Sequence, residues 1–214
     1  MLVDQRFLGS YMNVCPCQRC PGHKLASDRN LKTAGGFRRA IAMKGVGDYS
    51  SFFTRAPAIG AKYNSAIEAM RIVINPKRPP AAVFDFVAGH LRSSFPHYSW
   101  VGLYLLNGET LSLAAWKGAQ PTEHASIPIG QGICGLAART RETVVVPDVS
   151  KDARYLACFA STRSEIVVPI LADGRVYGEI DIDSDALDAF AASDRQFLEV
   201  VAGDLAAYLK AKGC

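Results

Sequence analysis

Apolar residues recur every three to four positions in three stretches of the chain, which is the spacing of one face of an α-helix. The stretches begin near residue 62, at Pro80 and at Asp194. Their apolar positions are Ala66, Ile67, Met70, Val73 and Ile74, then Val83, Phe84, Val87 and Leu91, then Phe197, Leu198, Val201, Leu205 and Leu209. Prolines separate the first two stretches, because proline interrupts a helix but suits its first turn. The pattern predicts two early helices and one at the far end.

Between these helices, two pairs of β-rich runs each surround a turn dipeptide. Residues 99–106 and 110–116 flank Asn107-Gly108, and residues 165–171 and 175–182 flank Asp173-Gly174. Asn-Gly or Asp-Gly between apolar runs is the strongest short-range signal of a β-hairpin. A Gly-rich turn, a short helix and a strand at 143–146 are expected between the hairpins. This order indicates an antiparallel sheet flanked by helices, an α+β domain.

Residues 1–61 show neither periodicity, and they contain scattered glycines, lysines and arginines. We therefore predict a mostly unstructured tail over 1–61 and one folded domain over 62–214. The tail has nine Lys and Arg against three Asp, whereas the domain has fifteen against seventeen Asp and Glu. A slightly acidic domain argues against nucleic acid as a partner, because nucleic-acid-binding domains present a basic face.

The chain contains no apolar run of about 18 residues, so the sequence predicts no membrane-spanning helix. Its first ten residues also lack the apolar centre of a secretory signal. We therefore expect a cytoplasmic protein that does not contact membranes. Because thiols stay reduced in that compartment, the six cysteines are expected to serve catalysis, redox chemistry or metal binding rather than structure.

Six sequence motifs follow one another between residues 99 and 184. They are Ser-Trp-Val-Gly-Leu-Tyr-Leu-Leu at 99–106, Ile-Pro-Ile-Gly-Gln-Gly-Ile-Cys-Gly at 127–135, Val-Pro-Asp-Val at 146–149, Ala-Cys at 157–158, Arg-Ser-Glu-Ile-Val-Val-Pro at 163–169 and Gly-Glu-Ile-Asp-Ile-Asp-Ser at 178–184. Together they resemble the free methionine-(R)-sulfoxide reductases, which are stand-alone GAF domains. The likeness covers roughly residues 62–210. It implies a GAF-like fold and a thiol enzyme that uses no metal and no organic cofactor.

On that resemblance, Cys158 is the candidate nucleophile and Cys134 a candidate second thiol, and the order in which they act stays open. Reducing a sulfoxide oxidises one cysteine to a sulfenic acid, and a nearby thiol condenses with it before further oxidation. In the family, thioredoxin then reduces the resulting disulfide by thiol exchange. The alternative is that both cysteines are small buried apolar residues.

One position departs from the family. Its members usually have a third cysteine three residues before the Ile-Pro pair, whereas this chain has His124, which we expect to be an exposed loop residue. The second thiol would then be Cys134, Cys214 or a tail cysteine. Cys134 is favoured because it begins a predicted helix, and the positive end of a helix dipole lowers a thiol pKa.

Three acidic residues form a second candidate group. Asp181 and Asp183 are two positions apart in one predicted strand, so they face the same side of the sheet. Glu165 begins the partner strand of the same hairpin. Crowded carboxylates can bind the ammonium group of a free amino acid, and crowding raises the pKa of at least one of them, which could then protonate the sulfoxide oxygen. The alternative is solvated strand ends.

Trp100 and Tyr104 match family positions that enclose the methyl group of the substrate. Because they are four positions apart in a predicted strand, they share one face of the sheet, although both could be ordinary core residues. The tail offers a different candidate, since Cys15, Cys17, Cys20 and His23 could hold zinc. Their spacing is tighter than that of ordinary zinc fingers, which favours an incidental cluster.

The sequence therefore predicts an L-methionine (R)-S-oxide reductase that acts on the free amino acid. Thioredoxin is the expected reductant, and a homodimer is compatible with the chain. The rival hypothesis is a non-catalytic GAF module that binds a small molecule and signals through its helices, because one fold can serve both ends. His124 in place of a cysteine favours the rival, and the acidic trio favours the enzyme.

Overall fold

The computed structural model of this chain describes residues 59–214. The helices are α1 (Ala61–Val73), α2 (Pro80–Ser94), α3 (Gly132–Thr140) and α4 (Ala192–Ala211), and the strands are β1 (Trp100–Asn107), β2 (Thr110–Lys117), β3 (Ser126–Pro128), β4 (Val144–Val146), β5 (Ser164–Ala172) and β6 (Arg175–Ser184). A turn of 3₁₀-helix, Val149–Lys151, follows β4. The predicted α+β architecture is confirmed.

The strands form one antiparallel sheet in the order β3-β2-β1-β6-β5-β4. Both predicted hairpins are present, as the β1–β2 and β5–β6 pairs. In the second, the turn residues Asp173 and Gly174 have φ angles of 52° and 74°, as a type I′ turn requires. A register shift between Ile170 and Leu171 then places Glu165 directly opposite Asp183, so two of the candidate acids are cross-strand neighbours.

The larger core lies between one face of the sheet and the helices α1, α2 and α4. Phe197 of α4 is fully buried there, and its ring centre lies 5.0 Å from that of Phe95 and 5.1 Å from that of Tyr63. Truncating a buried phenylalanine to alanine typically costs about 3–5 kcal/mol. The three helices that the apolar spacing predicts therefore hold this face of the sheet.

A smaller apolar cluster lies on the opposite face, beneath α3. It contains the edge strand β3, which the sequence pattern does not predict because Pro128 argues against a strand. At the edge of a sheet, however, proline is tolerated, since its missing N–H is not needed for pairing. Pro128 indeed pairs with Thr110 at that edge. This second face, and not the face packed against α1, α2 and α4, carries the candidate site residues.

The candidate zinc ligands Cys15, Cys17, Cys20 and His23 lie outside the described residues. No helix between residues 59 and 214 combines the length and apolar character that crossing a membrane requires.

Deleting residues 1–58 should leave the melting temperature unchanged, because residues 59–214 supply both apolar clusters. Ile59 packs against the larger one, so the deletion should end before it. Differential scanning calorimetry of the full and shortened chains tests this expectation. Zinc at about one per chain, lost on deletion together with thermal stability, would contradict it and make the tail cluster a structural site.

Candidate functional site

The central strand β6 presents a row of acidic side chains to the face beneath α3. Asp183 lies opposite Trp100 of β1, and Glu179 lies opposite Tyr104. On the other side of β6, Asp183 lies opposite Glu165 of β5. Since directly opposed residues share a face of the sheet, the register places the predicted trio of carboxyls and the two predicted aromatic residues in one site.

Glu179 is a fourth member of this group that the sequence analysis missed. It precedes Asp181 by two positions, so the same alternation that groups Asp181 with Asp183 places Glu179 on their face. The signal was therefore present in the motif at 178–184. Its side chain is fully buried, and neither of its carboxyl oxygens has a hydrogen-bond partner among the described residues.

All four acids are buried, with exposed fractions of 5% for Glu165, 0% for Glu179 and 1% for both Asp181 and Asp183. Six of their eight carboxyl oxygens have no hydrogen bond of good geometry within the described residues. No Lys, Arg or His in this part of the chain forms an ion pair with them. Leaving buried carboxylates unpaired is costly, so the site is arranged for a cation.

Two other buried acids in the same domain show what satisfied burial looks like. Asp194 accepts hydrogen bonds from the Tyr63 and Tyr98 hydroxyls at 3.0 and 2.8 Å, and from the backbone N–H of Ala191 at 2.9 Å. Asp204 pairs with the Arg71 guanidinium at 2.7 Å. The missing partners of the acids around β6 are therefore a local property of that site.

The pKa values of all four carboxyls are raised. Burial is the largest cause for each of them, and the charge of Asp181 contributes to the rise at Glu165, Glu179 and Asp183. The pKa of Asp181 itself rises to about 7, while the neighbouring Cys134 thiol opposes the rise. Near neutral pH the group therefore holds some carboxyls in the protonated form, each of which can donate a hydrogen bond.

Cys134 lies near the start of α3 and is 5% exposed. Burial, followed by the charges of Asp181 and Glu179, raises the pKa of its thiol well above the usual value. The prediction that the helix N-terminus lowers this pKa is therefore wrong, because desolvation and neighbouring negative charge outweigh the helix dipole. In this state Cys134 is a protonated thiol.

Cys158 lies between the 3₁₀ turn and β5, in a loop, and is half-buried. Its Sγ lies 3.5 Å from the Leu156 carbonyl oxygen. Burial raises the pKa of this thiol first, and the charges of Asp181, Asp183 and Glu165 raise it further. The charge of Asp181 thus raises the pKa of both thiols.

Cys214 is excluded from this group by its position. It packs against the apolar cluster on the helix-covered face of the sheet, whereas Cys134 belongs to the cluster on the opposite face. The three other cysteines of the chain lie outside the described residues. Of the other two cysteines within residues 59–214, only Cys134 lies on the same face of the sheet as the acids, so it is the candidate partner for Cys158.

Trp100 and Tyr104 are buried, and their polar atoms hold the loop over the site. The Trp100 indole N–H donates to the Gln120 carbonyl oxygen at 3.2 Å, and the Tyr104 hydroxyl donates to that of His124 at 3.0 Å. The Trp100 ring lies so close to Gly102 and Gly118 that a Cβ at either position would overlap it. The two aromatics thus line the site and also tie down its covering loop.

His124 joins this covering loop to the loop that carries Cys158. Its Nε2 lies 3.2 Å from the Ala157 carbonyl oxygen, and because a carbonyl only accepts, Nε2 carries the hydrogen. The ring is half-exposed rather than the freely exposed loop side chain that the sequence suggests. His124 therefore connects the two loops above the acids, next to the residue that precedes Cys158.

The arrangement combines three chemical properties. Unpartnered carboxyls attract a cation, protonated carboxyls can deliver a proton, and two thiols can exchange two electrons by forming a disulfide. Trp100 and Tyr104 add an apolar wall. A small amphiphilic cation with a reducible group fits this combination.

An antiparallel sheet with α1, α2 and α4 on one face, and with α3 and loops over a site on the other, is the arrangement of a GAF domain. The GAF domain profile matches residues 80–209, so this chain is a GAF-domain protein. Within that class, the chain is similar to free methionine-R-sulfoxide reductases. It is 42% identical over 108 residues to the free methionine-R-sulfoxide reductase of Saccharomyces cerevisiae, covering 49% of this chain and 59% of the yeast protein.

Solved structures of related proteins match over nearly their whole length. The type II free methionine-R-sulfoxide reductase of Thermoplasma acidophilum is 38% identical, with a TM-score of 0.55, covering 70% of this chain and 94% of that one. The enzyme of Neisseria meningitidis, solved in complex with its substrate, is 32% identical with a TM-score of 0.67, covering 75% and 95%. This chain belongs to the free methionine-R-sulfoxide reductase family.

Proposed function

We propose that this protein reduces free L-methionine-(R)-sulfoxide to L-methionine with the thiols of Cys158 and Cys134. One observation carries the proposal: buried carboxyls without partners lie within 4.8 Å of the Cys134 thiol, and their charges also raise the pKa of the Cys158 thiol. The names of the related yeast and Neisseria proteins support it. Thioredoxin is the proposed reductant, in the cytoplasm. The protein could act as a homodimer.

The α-ammonium group of the free amino acid supplies the cation that the site lacks. Glu165, Asp181 and Asp183 would share its positive charge, and Trp100 and Tyr104 would enclose the methyl end. The negative charges of these three acids are among the causes that raise the pKa of Cys158. Neutralising them with a bound ammonium lowers that pKa, so substrate binding itself would favour the thiolate.

The reaction balances with the groups on this face. The Cys158 sulfur attacks the sulfoxide sulfur while a protonated carboxyl delivers a proton to the sulfoxide oxygen. The hydroxyl group then moves to the Cys158 sulfur as the transient sulfur–sulfur bond breaks, so Cys158 becomes a sulfenic acid and methionine leaves reduced by two electrons. Cys134 then condenses with the sulfenic acid, releasing water and leaving a Cys134–Cys158 disulfide. An external dithiol restores both thiols by exchange.

A non-catalytic GAF module is the second candidate, and one observation favours it. The pKa values of both thiols are raised in the described structure, whereas a reactive cysteine needs thiolate character. Under this alternative the acids would bind an amino-acid ligand and the cysteines would be apolar lining. Turnover separates the two candidates, because only the enzyme releases methionine.

Consumption of NADPH by thioredoxin reductase and thioredoxin, with free methionine-(R)-sulfoxide as substrate, is the direct test. The (R) epimer should drive NADPH oxidation, and heat-denatured protein should not. Ligand binding without methionine release, whichever dithiol is supplied, would favour the binding module over the enzyme.

N-acetylation of the substrate should reduce kcat/KM by about 10²–10³-fold, because the acetylated nitrogen carries no charge and leaves buried acids unpaired at a cost of about 3–5 kcal/mol. Methionine sulfoxide within a peptide should be rejected for the same reason. The measurement compares initial rates on free and N-acetylated (R)-sulfoxide, with N-acetylmethionine as a product-inhibition control. Similar rates on the two substrates would show that the acids do not bind an ammonium group.

A further inference from the structure

Cys134, Glu165 and Asp181 come from three different elements, α3, β5 and β6, and converge on one point. Their ligand atoms, the Sγ of Cys134 and one carboxyl oxygen from each acid, all lie within 4.8 Å of one another. Tetrahedral zinc, with Zn–S near 2.3 Å and Zn–O near 2.1 Å, needs ligand separations of roughly 3.4–3.6 Å. Small side-chain adjustments therefore suffice to place the three atoms around one ion.

A second, independent observation points to a cation at this position. Glu165 and Asp181 are at least 95% buried, and Glu165 Oε2 and Asp181 Oδ1 have no hydrogen-bond partner among the described residues. Both oxygens of Asp183, which lies opposite Glu165, lack a partner as well. Buried acids elsewhere in the domain are paired, as Asp194 and Asp204 show. This group therefore has unused ligand capacity.

We infer that Cys134, Glu165 and Asp181 form a binding site for a divalent cation of borderline softness, with zinc as its biological representative. The inference does not rest on the proposed reductase activity. One thiolate with two carboxylates matches the sulfur and oxygen ligands that zinc accepts. Calcium is disfavoured because it requires six to eight oxygen ligands, and magnesium because it prefers oxygen ligands and retains its waters.

Three protein ligands leave the fourth tetrahedral position open. Asp183 adjoins Glu165 across the strands and can fill that position directly or through water. A bound zinc ion would hold the Cys134 sulfur as thiolate and would occupy the carboxyls that otherwise attract an ammonium group. Zinc and an amino-acid ligand are therefore competitors for one site, and the metal-bound protein is a resting or inhibited form.

The test uses the full-length, reduced, metal-free chain in which Cys15, Cys17 and Cys20 are replaced by serine, so that the tail cannot bind zinc. Zinc is titrated in competition with a chromophoric chelator, and cadmium is titrated while the ultraviolet thiolate-to-metal charge-transfer band is recorded. We expect one zinc ion per chain and a cadmium–thiolate band. Circular dichroism confirms that each variant is folded.

Cys134→Ser should remove the cadmium–thiolate band and weaken zinc affinity by at least about 10-fold. Glu165→Gln and Asp181→Asn should weaken zinc affinity and keep the band. Cys214→Ser is the matched control, because it removes a thiol from the opposite face of the sheet, and it should change neither measurement. Cys158→Ser tests whether the second thiol near the acids takes part, and it should also leave the band in place.

The inference would be overturned if the folded chain with serine at positions 15, 17 and 20 bound no zinc. It would also be overturned if zinc affinity and the cadmium band were unchanged by Cys134→Ser. A band lost in Cys158→Ser or Cys214→Ser would likewise assign the metal to another thiol. These measurements contain no substrate, so they separate this inference from the reductase proposal. A protein that binds zinc through Cys134 yet releases no methionine retains the metal site and loses the proposed activity.

Discussion

Replacing Cys158 with serine should abolish methionine release, whereas Cys134→Ser should allow about one methionine per chain and then stall. The difference arises because only the first thiol takes the oxygen from the sulfoxide, while the second removes it from the sulfenic acid. A serine hydroxyl does neither. Rapid-quench measurement of methionine with excess substrate and thioredoxin distinguishes the two variants, and Cys214→Ser, on the opposite face of the sheet, should turn over like the unaltered chain.

The disulfide itself can be mapped after oxidation of the reduced protein with stoichiometric methionine-(R)-sulfoxide. A Cys134–Cys158 linkage is expected, because the charges of Asp181 and Glu165 act on both thiols whereas Cys214 packs on the opposite face of the sheet. Mass spectrometry of the digested protein identifies the linked peptides. A linkage from Cys158 to Cys214 or to a tail cysteine would reject Cys134 as the resolving thiol.

Asp183→Asn should lower kcat/KM for the free sulfoxide by about 10²–10³-fold, since it removes a charged partner of the ammonium group worth about 3–5 kcal/mol. The same substitution should raise the melting temperature at pH 8. Burial and the charge of Asp181 raise the pKa of Asp183 well above its usual value, so the folded state resists ionising this group. Asparagine keeps the shape and removes the charge.

The pH dependence of that stabilisation follows from the sign of the shift. A carboxyl whose pKa is raised on folding favours the folded state at low pH, and that contribution is lost as pH rises from its unfolded pKa, near 4, through its folded pKa. Each pKa unit corresponds to about 1.4 kcal/mol. The gain in melting temperature from Asp183→Asn should therefore be small at pH 4 and larger at pH 8.

Asp194→Asn is the matched control, because Asp194 is equally buried but accepts hydrogen bonds from two tyrosine hydroxyls and a backbone N–H. This substitution should lower the melting temperature at both pH values, opposite in sign to Asp183→Asn. Calorimetry at pH 4 and pH 8 measures both variants. A loss of stability at pH 8 in Asp183→Asn would mean that the Asp183 carboxyl already has a partner in the folded state.

The sequence predicts the hairpins and the shared face of Asp181 and Asp183, because both follow from short-range rules. Turn type is set by two residues, and the side-chain direction in a strand is set by odd or even position. The pairing of Glu165 with Asp183 does not follow from the Asp173-Gly174 turn alone, which would place Glu165 opposite Ile182. It depends on the register shift between Ile170 and Leu171. Glu179 follows the same odd-position alternation as Asp181 and Asp183.

The features that the sequence does not predict depend on contacts between distant segments. Pro128 argues against a strand by local rules and is accommodated only because β3 lies at the sheet edge. The pKa of Cys134 is raised because α3 packs it against acids of β6, which no property of the helix start reveals. His124 likewise acquires its role from a loop more than thirty residues away, through the Ala157 carbonyl.

All four buried acids belong to the single β5–β6 hairpin. The repulsion between their negative charges therefore opposes pairing of these two strands, even before α3 and the covering loops have packed. Contacts close in sequence tend to form early in folding. Ionising the acids should therefore slow folding more than it speeds unfolding. A pH increase would then slow the assembly of the protein, and a cation bound by the nascent hairpin would speed it.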